Sequence, residues 1–246
     1  MLTRLIVSVF IGLFLLSCTS KIALKEDGLL YEGKNLYSGD YNKLKYKSGQ
    51  LFTGLDTLAF QVEGKESGAG LLDMLTYTNY KNGLRHGHYT KIQKTNNLKV
   101  VEGYYNEGKA DSLWVFLHDN GQVKSKTTWT DGQKNGLSTT WYESGQIESE
   151  THYKNDKEDG EFVQYYENGQ IEIAGNYIKG LQHGLTKQFY ESGQLQAKFI
   201  YANGKQNGEI AQWYENGNMQ MKGVVADNVP VGELTWYKED GTLDKD

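Results

Sequence analysis

The sequence is poor in proline and cysteine, and these two shortages exclude several classes of protein. One proline among 246 residues excludes a collagen, although the chain has 29 glycines. A single cysteine excludes an internal disulfide and the multi-cysteine site of a structural zinc. Aromatic residues make up 13% of the chain, which is more buriable surface than a disordered chain carries. We therefore expect a fold stabilised by ordinary packing.

The chain also lacks an excess of basic residues. It has 26 Lys and Arg against 31 Asp and Glu, which gives a formal net charge of −5. Binding of nucleic acid depends mainly on Lys and Arg displacing counterions from phosphates, so we expect no nucleic-acid partner. The same balance disfavours binding of the folded part to anionic lipid headgroups.

The first 17 residues have the pattern of an export signal. Arg4 precedes an apolar run from Leu5 to Leu16, which is too short to span a bilayer. The sequence that ends at Cys18, Leu-Leu-Ser-Cys, resembles the lipobox of bacterial lipoproteins. This resemblance implies cleavage before Cys18 and attachment of acyl chains such as palmitate to it. Several chains would anchor the protein stably in a membrane. An ordinary signal peptide and an uncleaved anchor are the alternatives.

The residues that follow Cys18 predict which membrane holds the protein and how the folded part is attached to it. In bacterial lipoproteins, the residue after the cysteine bears on which membrane holds the protein. The resemblance implies that Thr19, in place of Asp, favours the outer membrane of a two-membrane bacterium. Residues 18–27 then form a short polar tether between the membrane and the folded part.

Glycines recur at a fixed spacing of 24 residues over the second half of the chain. The first series follows Asn, Ser or Asp and comprises Gly121, Gly145, Gly169, Gly193, Gly217 and Gly241. The second series comprises Gly136, Gly160, Gly184, Gly208 and Gly232. Asn-Gly, Ser-Gly and Asp-Gly pairs between strand-forming residues indicate hairpin turns, because glycine adopts positive φ readily. We predict regular hairpin repeats over residues 111–246.

The repeated unit of the Tyr-Glu-Asn-Gly type resembles the bacterial variant of the MORN repeat. Bacterial chains built from such units are often labelled as YwqK-like antitoxins. The resemblance extends over residues 28 to 245, with degenerate repeats in 28–110 and an irregular insertion at 55–76. It implies an all-β fold, an elongated antiparallel array of β-hairpins with a 24-residue period. Such an array offers extended binding surfaces.

Alternation along the strands predicts which side chains share a face. With Ser144 and Gly145 as the two central turn residues, Tyr142 lies opposite Ile147 and Trp141 lies opposite Glu148. The predicted buried face then carries three columns of apolar residues, because such cross-strand pairs are favourable. The columns are Tyr142, Tyr166, Tyr190 and Tyr214; Val123, Ile147, Ile171, Leu195, Met219 and Leu243; and Trp129, Tyr153, Tyr177 and Tyr201.

The other predicted face carries an aromatic stripe opposite polar residues such as Glu148, Glu172, Gln196 and Gln220. Twisting of the sheet would pack this stripe against its neighbours. Alternatively, the stripe is exposed and binds a partner protein, peptide or glycan. The candidate partner-binding residues are Trp141, Tyr165, Phe189, Trp213 and Tyr237.

No pattern for catalysis or for a cofactor is found. His86 and His88 are close in sequence but have no carboxylate in a metal-site motif. The acidic connector 155–159 does not have the spacing of a calcium-binding EF-hand and is typical of a turn. No serine lies in a nucleophile elbow. We expect a non-enzymatic protein without metal or cofactor; an enzyme would need a polar pocket in residues 55–76.

Three functions are consistent with these observations. The first is a lipid-anchored repeat scaffold of the cell envelope that binds an as yet unidentified protein along one sheet face. The second is an antitoxin or immunity-type protein that neutralises a toxin, as the family label implies. The third is a glycan-binding envelope protein.

Overall fold

A computed structural model describes the backbone of residues 20–23, 29–33, 43–46, 54–61, 73–93 and 96–244, and the side chains of residues 76–93 and 96–244. All regular elements in these residues are β-strands. The chain divides into two compact units, residues 1–121 with 129–132, and residues 122–128 with 133–246. The export signal and Cys18 lie outside the described residues.

The first unit is built from antiparallel strands. A three-stranded sheet comprises β1 (Ser20–Ala23), β2 (Leu29–Gly33) and β3 (Lys43–Tyr46). Five further strands each pair with the next along the chain. They are β4 (Gly54–Gln61), β5 (Asp73–Lys81), β6 (Leu84–Gln93), β7 (Leu98–Asn106) and β8 (Lys109–Leu117).

The described residues of the segment predicted to be an irregular insertion, 55–61 and 73–76, form regular strands, and residues 62–72 lie outside the described residues. Strands β4 and β5 pair antiparallel without interruption, from Gly54 opposite Tyr80 to Gln61 opposite Asp73. The prediction of irregularity at 55–76 was therefore wrong for residues 55–61 and 73–76. The period of 24 is lost here, but strand formation depends on side-chain alternation and pairing and does not need the repeat.

The second unit contains the regular repeats. Next along the chain is β9 (Val123–Thr130), in which the division between the units falls. The strands that follow are β10 (Gln133–Trp141), β11 (Ile147–Lys154), β12 (Lys157–Tyr165), β13 (Ile171–Ile178), β14 (Leu181–Gln182), β15 (Gly184–Phe189), β16 (Leu195–Ala202), β17 (Lys205–Gln206), β18 (Gly208–Trp213), β19 (Met219–Ala226), β20 (Val229–Pro230) and β21 (Thr235–Trp236). Successive hairpins pair antiparallel, which confirms the predicted all-β hairpin repeats.

The turn glycines of the first series all have positive φ, between +84° and +88°. Their position in the turn differs from the prediction. In the first hairpin of the second unit, Gly145 donates its N–H to the carbonyl of Tyr142 at 2.9 Å, and Tyr142 donates to the carbonyl of Gln146 at 2.9 Å. The central turn residues are thus Glu143 and Ser144. Gly145 is the left-handed residue that closes a three-residue loop.

The core of the second unit lies on the face that was predicted to be buried. Ile210, Met221 and Val225 are 4–6% exposed and contact Phe199 and Leu234. Along the middle of this face, large and small side chains face each other across the strands. Phe162 is opposite Gly175, and Ile210 is opposite Gly223. Large residues can therefore lie over the glycines beside them.

The first unit has a separate aromatic core around Trp114, which is 6% exposed. Its ring lies 5.0 Å from that of Tyr105 and 5.4 Å from that of Tyr89. The indole N–H donates to the carbonyl of Tyr104 at 3.2 Å, which fixes the orientation of the ring. A side chain on Gly103 would overlap this ring, so the glycine is required for the close approach.

Hydrogen bonds repeat with the sequence period and join each repeat to the next. Four tyrosine hydroxyls donate to backbone carbonyls 23 residues further along the chain. These bonds, of 2.7–2.9 Å, run from Tyr142 to Tyr165, Tyr166 to Phe189, Tyr190 to Trp213 and Tyr214 to Tyr237. At the opposite ends of the hairpins, connector N–H groups donate to the preceding repeat, as from Gly204 to the carbonyl of Gln182 at 2.9 Å. Both ends of each hairpin are thus held.

Candidate protein-binding face

A one-residue bulge beside each turn changes which residues share a face. In the first hairpin, Trp141 is directly opposite Ile147, whereas Thr140 is opposite Ser149. Glu148 is the extra residue between these two pairs. Beyond the bulge the predicted pairing holds. The predicted partners of Trp141 and Tyr142, Glu148 and Ile147, were therefore wrong by one residue.

The bulge moves the aliphatic column to the face of the aromatic stripe, because directly paired residues share a face. The same pairing recurs in the following repeats. The five pairs, which we call the apolar ladder, are Trp141 with Ile147, Tyr165 with Ile171, Phe189 with Leu195, Trp213 with Met219, and Tyr237 with Leu243. The prediction that this aliphatic column lies on the buried face was wrong for its last five members, Ile147, Ile171, Leu195, Met219 and Leu243.

The glutamates that were predicted to lie opposite the aromatic stripe are instead on the core face. Glu148 and Glu172 line a shallow depression on the core face, together with Tyr142, Thr140, Ser149 and Gln164. Burial, followed by the charges of Glu148 and Glu172, raises the pKa of the Tyr142 hydroxyl. The tyrosine hydroxyl therefore stays protonated over the physiological range, as its hydrogen bond to the carbonyl of Tyr165 requires.

Each aromatic residue of the apolar ladder is half-buried. The stripe is therefore neither fully packed against its neighbours nor fully exposed, which were the two interpretations of the sequence. Part of each ring packs on the sheet and part remains accessible. Ile171 and Leu243 are 37% and 47% exposed. Because the same face is repeated along the hairpins, these pairs form a periodic apolar surface on the face opposite the core cluster.

Polar groups next to the ladder orient its rings. The ammonium of Lys126 lies 5.6 Å from the centre of the Trp141 ring. The Tyr165 hydroxyl donates to Glu150 Oε2 at 3.1 Å, and burial followed by this contact raises the pKa of Tyr165. The backbone is fixed as well, since the carbonyls of Tyr165, Phe189, Trp213 and Tyr237 accept the tyrosine hydroxyls described above. The ladder is thus held in place before any partner binds.

The other predicted site residues do not converge on a reactive centre. His86 and His88 both contact the ring of Tyr104, at 6.3 and 5.8 Å between ring centres. In the acidic connector, Asn155 and Asp156 adopt the positive φ of a two-residue turn, and Asp156 accepts the N–H of Lys134 at 2.8 Å. Among the described residues, no three His, Cys, Asp or Glu side chains are grouped so that they could hold a metal ion.

The part of the chain that the structure describes also contains no helical segment with the length and hydrophobicity of a membrane span.

Three consecutive segments of the second unit match a known family. Residues 134–155, 158–179 and 182–205 match the sequence profile of a MORN repeat variant. Each matched segment begins within two residues of the start of the first strand of one hairpin and ends at or near the following connector, so it covers one hairpin. No enzyme family is indicated by this match. No curated protein matches the chain.

Proposed function

We propose that the chain is a lipid-anchored, non-enzymatic repeat scaffold of the cell envelope that binds a partner protein along the apolar ladder. The observation that supports the proposal is the recurrence of five aromatic and aliphatic pairs on one face of the sheet. MORN repeats are compatible with a scaffold for protein interaction. Contiguous apolar surface that remains accessible in a folded protein marks interaction sites.

The geometry of the ladder suits recognition of a protein more than of a small molecule. The accessible residues recur from one hairpin to the next, with one aromatic and aliphatic pair in each. Large aromatic side chains on a fixed backbone contribute much contact area at low cost in conformational entropy, and such residues are enriched where partners bind tightly. The partner would therefore contact several repeats at once.

Substitution of Trp141, Phe189 and Trp213 by serine tests the proposal. We expect the variant to lose capture of the partner when intact cells are crosslinked and the proteins that co-purify are identified. The physical reason is that aromatic anchors carry much of the binding energy of an interface, typically above 1 kcal/mol each. Far-UV circular dichroism and the urea midpoint of unfolding establish whether the variant is folded.

Trp236→Ser is the matched control. Trp236 is 46% exposed and directly opposite Met221 of the core cluster, so its side chain lies on the face away from the apolar ladder. It should leave partner capture at the wild-type level. If the triple variant captures the partner as well as this control does, the ladder is not the binding face. If the triple variant unfolds, the ladder is part of the core.

The anchor has its own test, because Cys18 is the predicted site of lipid attachment. Cys18→Ser is expected to move the protein from the membrane fraction to the soluble fraction, since the acyl chains would supply the membrane affinity. Fractionation followed by immunoblotting measures the distribution. A Cys18→Ser variant that remains in the membrane fraction at the wild-type level would contradict the anchor.

A further inference from the structure

Three lysines form a row across the ladder face of the second unit. Lys187 of β15 and Lys198 of β16 are directly opposite each other. On the next pair of strands, Ala211 of β18 is opposite Lys198 on one side and Lys222 of β19 on the other. Adjacent strands lie about 4.8 Å apart, so the three lysines span about 14 Å across four strands. We call Lys187, Lys198 and Lys222 the lysine band.

Apolar side chains border the lysine band on both sides. Residues two apart on a strand share a face, so Phe189 and Trp213 of the apolar ladder flank it on the turn side. On the connector side lie Leu185, Ile200 and Val224, which are 48%, 38% and 44% exposed. Leu185 and Ile200 are themselves a direct cross-strand pair. The band is therefore a cationic row between two accessible apolar rows.

The charges of the lysine band are poorly compensated. Within the described side chains, none of the three lysines makes an ion pair. Lys222 lies 5.7 Å from the centre of the Tyr237 ring. Two exposed carboxylates border this area of the face: Glu209 is opposite Val224, and Glu233 lies two residues before Thr235, which is opposite Lys222. Like charges directly opposite each other destabilise a sheet, so the Lys187–Lys198 pair is unfavourable without a partner. An incoming carboxylate would relieve this repulsion.

We propose that the lysine band binds an acidic segment of the partner protein, with carboxylates over the lysines and apolar side chains over the bordering rows. The proposal rests on the proposed function and names the chemistry of the segment that the ladder face recognises. Charge complementarity supports it, because the band is cationic on a chain whose net charge is −5. The apolar rows would exclude water from the charged contacts and strengthen them.

The probe is a fluorescein-labelled peptide with a central Glu-Asp-Glu sequence between Leu and Phe residues, compared with the peptide in which Gln and Asn replace the acids. Fluorescence anisotropy with the full chain measures both affinities. The acidic peptide is expected to bind at least ten times more tightly than the neutral one. Its affinity should fall as salt is raised, since exposed charge contacts are screened.

Lys187→Glu is expected to weaken binding of the acidic peptide at least ten-fold without loss of stability. The substitution turns the Lys187–Lys198 pair into an opposite-charge pair, so the urea midpoint should equal or exceed that of the wild type. Lys157→Glu is the matched control. Lys154 and Lys157 are also directly opposite each other and exposed, but they lie beside a connector turn away from the apolar ladder. This control should bind the peptide like the wild type.

Equal affinity for the two peptides, or equal binding by Lys187→Glu and Lys157→Glu, would overturn the proposal. Binding to phosphatidylglycerol vesicles that depends on Lys187, without peptide binding, would overturn it in favour of a membrane surface. Lys187-dependent dimerisation in sedimentation, again without peptide binding, would overturn it in favour of a second copy of this chain. If Lys187→Glu still captures the cellular partner while the triple ladder variant does not, the proposed function stands and the acidic segment is wrong.

Discussion

Gly103→Ala is expected to lower the free energy of unfolding by about 3 kcal/mol, at the upper end of the range for an overpacked core. The added Cβ would overlap the indole ring of Trp114. That ring has little room to move, because it is 6% exposed, packs between Tyr89 and Tyr105, and donates to the carbonyl of Tyr104. Equilibrium unfolding in urea, followed by tryptophan fluorescence and circular dichroism, measures the change.

Gly223→Ala is the matched control for this prediction. Its added Cβ would overlap Leu234, but the contact is with the end of a flexible, half-buried side chain that can rotate away. Neither Gly103 nor Gly223 has a positive φ, so backbone strain does not enter the comparison. We expect Gly223→Ala to cost less than about 1 kcal/mol, since its neighbour can adjust. Equal losses at the two positions would contradict the role assigned to Trp114.

Replacing Tyr142, Tyr166, Tyr190 and Tyr214 together by phenylalanine is expected to lower the free energy of unfolding by about 4 kcal/mol. Each substitution removes one hydrogen bond between consecutive repeats, and such a bond contributes about 1 kcal/mol. In an array whose stability depends on contacts between neighbours, the transition should also become less cooperative. The urea midpoint and the steepness of the transition measure both effects.

Tyr153→Phe provides the control for the hydroxyl group. Tyr153 is half-buried like the four tyrosines, but its hydroxyl makes no hydrogen bond within the described residues. Its substitution should leave stability unchanged, whereas Tyr166→Phe alone should cost about 1 kcal/mol. If the two single variants unfold at the same urea concentration, the tyrosine hydroxyls do not hold the repeats together.

Two of the four tyrosines that join the repeats, Tyr142 and Tyr166, make stability dependent on alkaline pH. Burial, followed by nearby carboxylates, raises the pKa of Tyr142 and of Tyr166. A group whose pKa is raised by folding contributes its stability below the unfolded pKa, about 10 for tyrosine, and loses it as the pH rises through the folded pKa. The urea midpoint should therefore fall above pH 10, and it should fall less in the four-fold phenylalanine variant.

Much of the second unit could be predicted from the glycine spacing. Asn-Gly and Ser-Gly pairs at a constant interval specify where the chain must turn, because few other residues adopt positive φ at low cost. Alternation then places Thr140, Ser149 and Thr151 on one face, and the pairing of Thr140 with Ser149 confirms it. These features depend on local backbone preference, which the sequence expresses directly.

The pairing next to the turn could not be predicted, since two hairpin loops are compatible with Glu143-Ser144-Gly145. A two-residue turn places Ile147 opposite Tyr142, and a three-residue loop with a bulge places it opposite Trp141. The choice exchanges an isoleucine and a glutamate between the faces in this repeat. It also determines that the aromatic stripe is flanked by aliphatic side chains instead of carboxylates.

The residues themselves determined the strands, the turn positions, the repeat and the candidate aromatic residues, because these follow from local conformational preference and a period of two along each strand. Only the tertiary structure decided which side chains meet across strands. The bulge, the fit of Trp114 over Gly103, and the row formed by Lys187, Lys198 and Lys222 all depend on which residues pair across neighbouring strands. Such pairing is selected by packing and hydrogen bonding of whole strands, which no single stretch of sequence encodes.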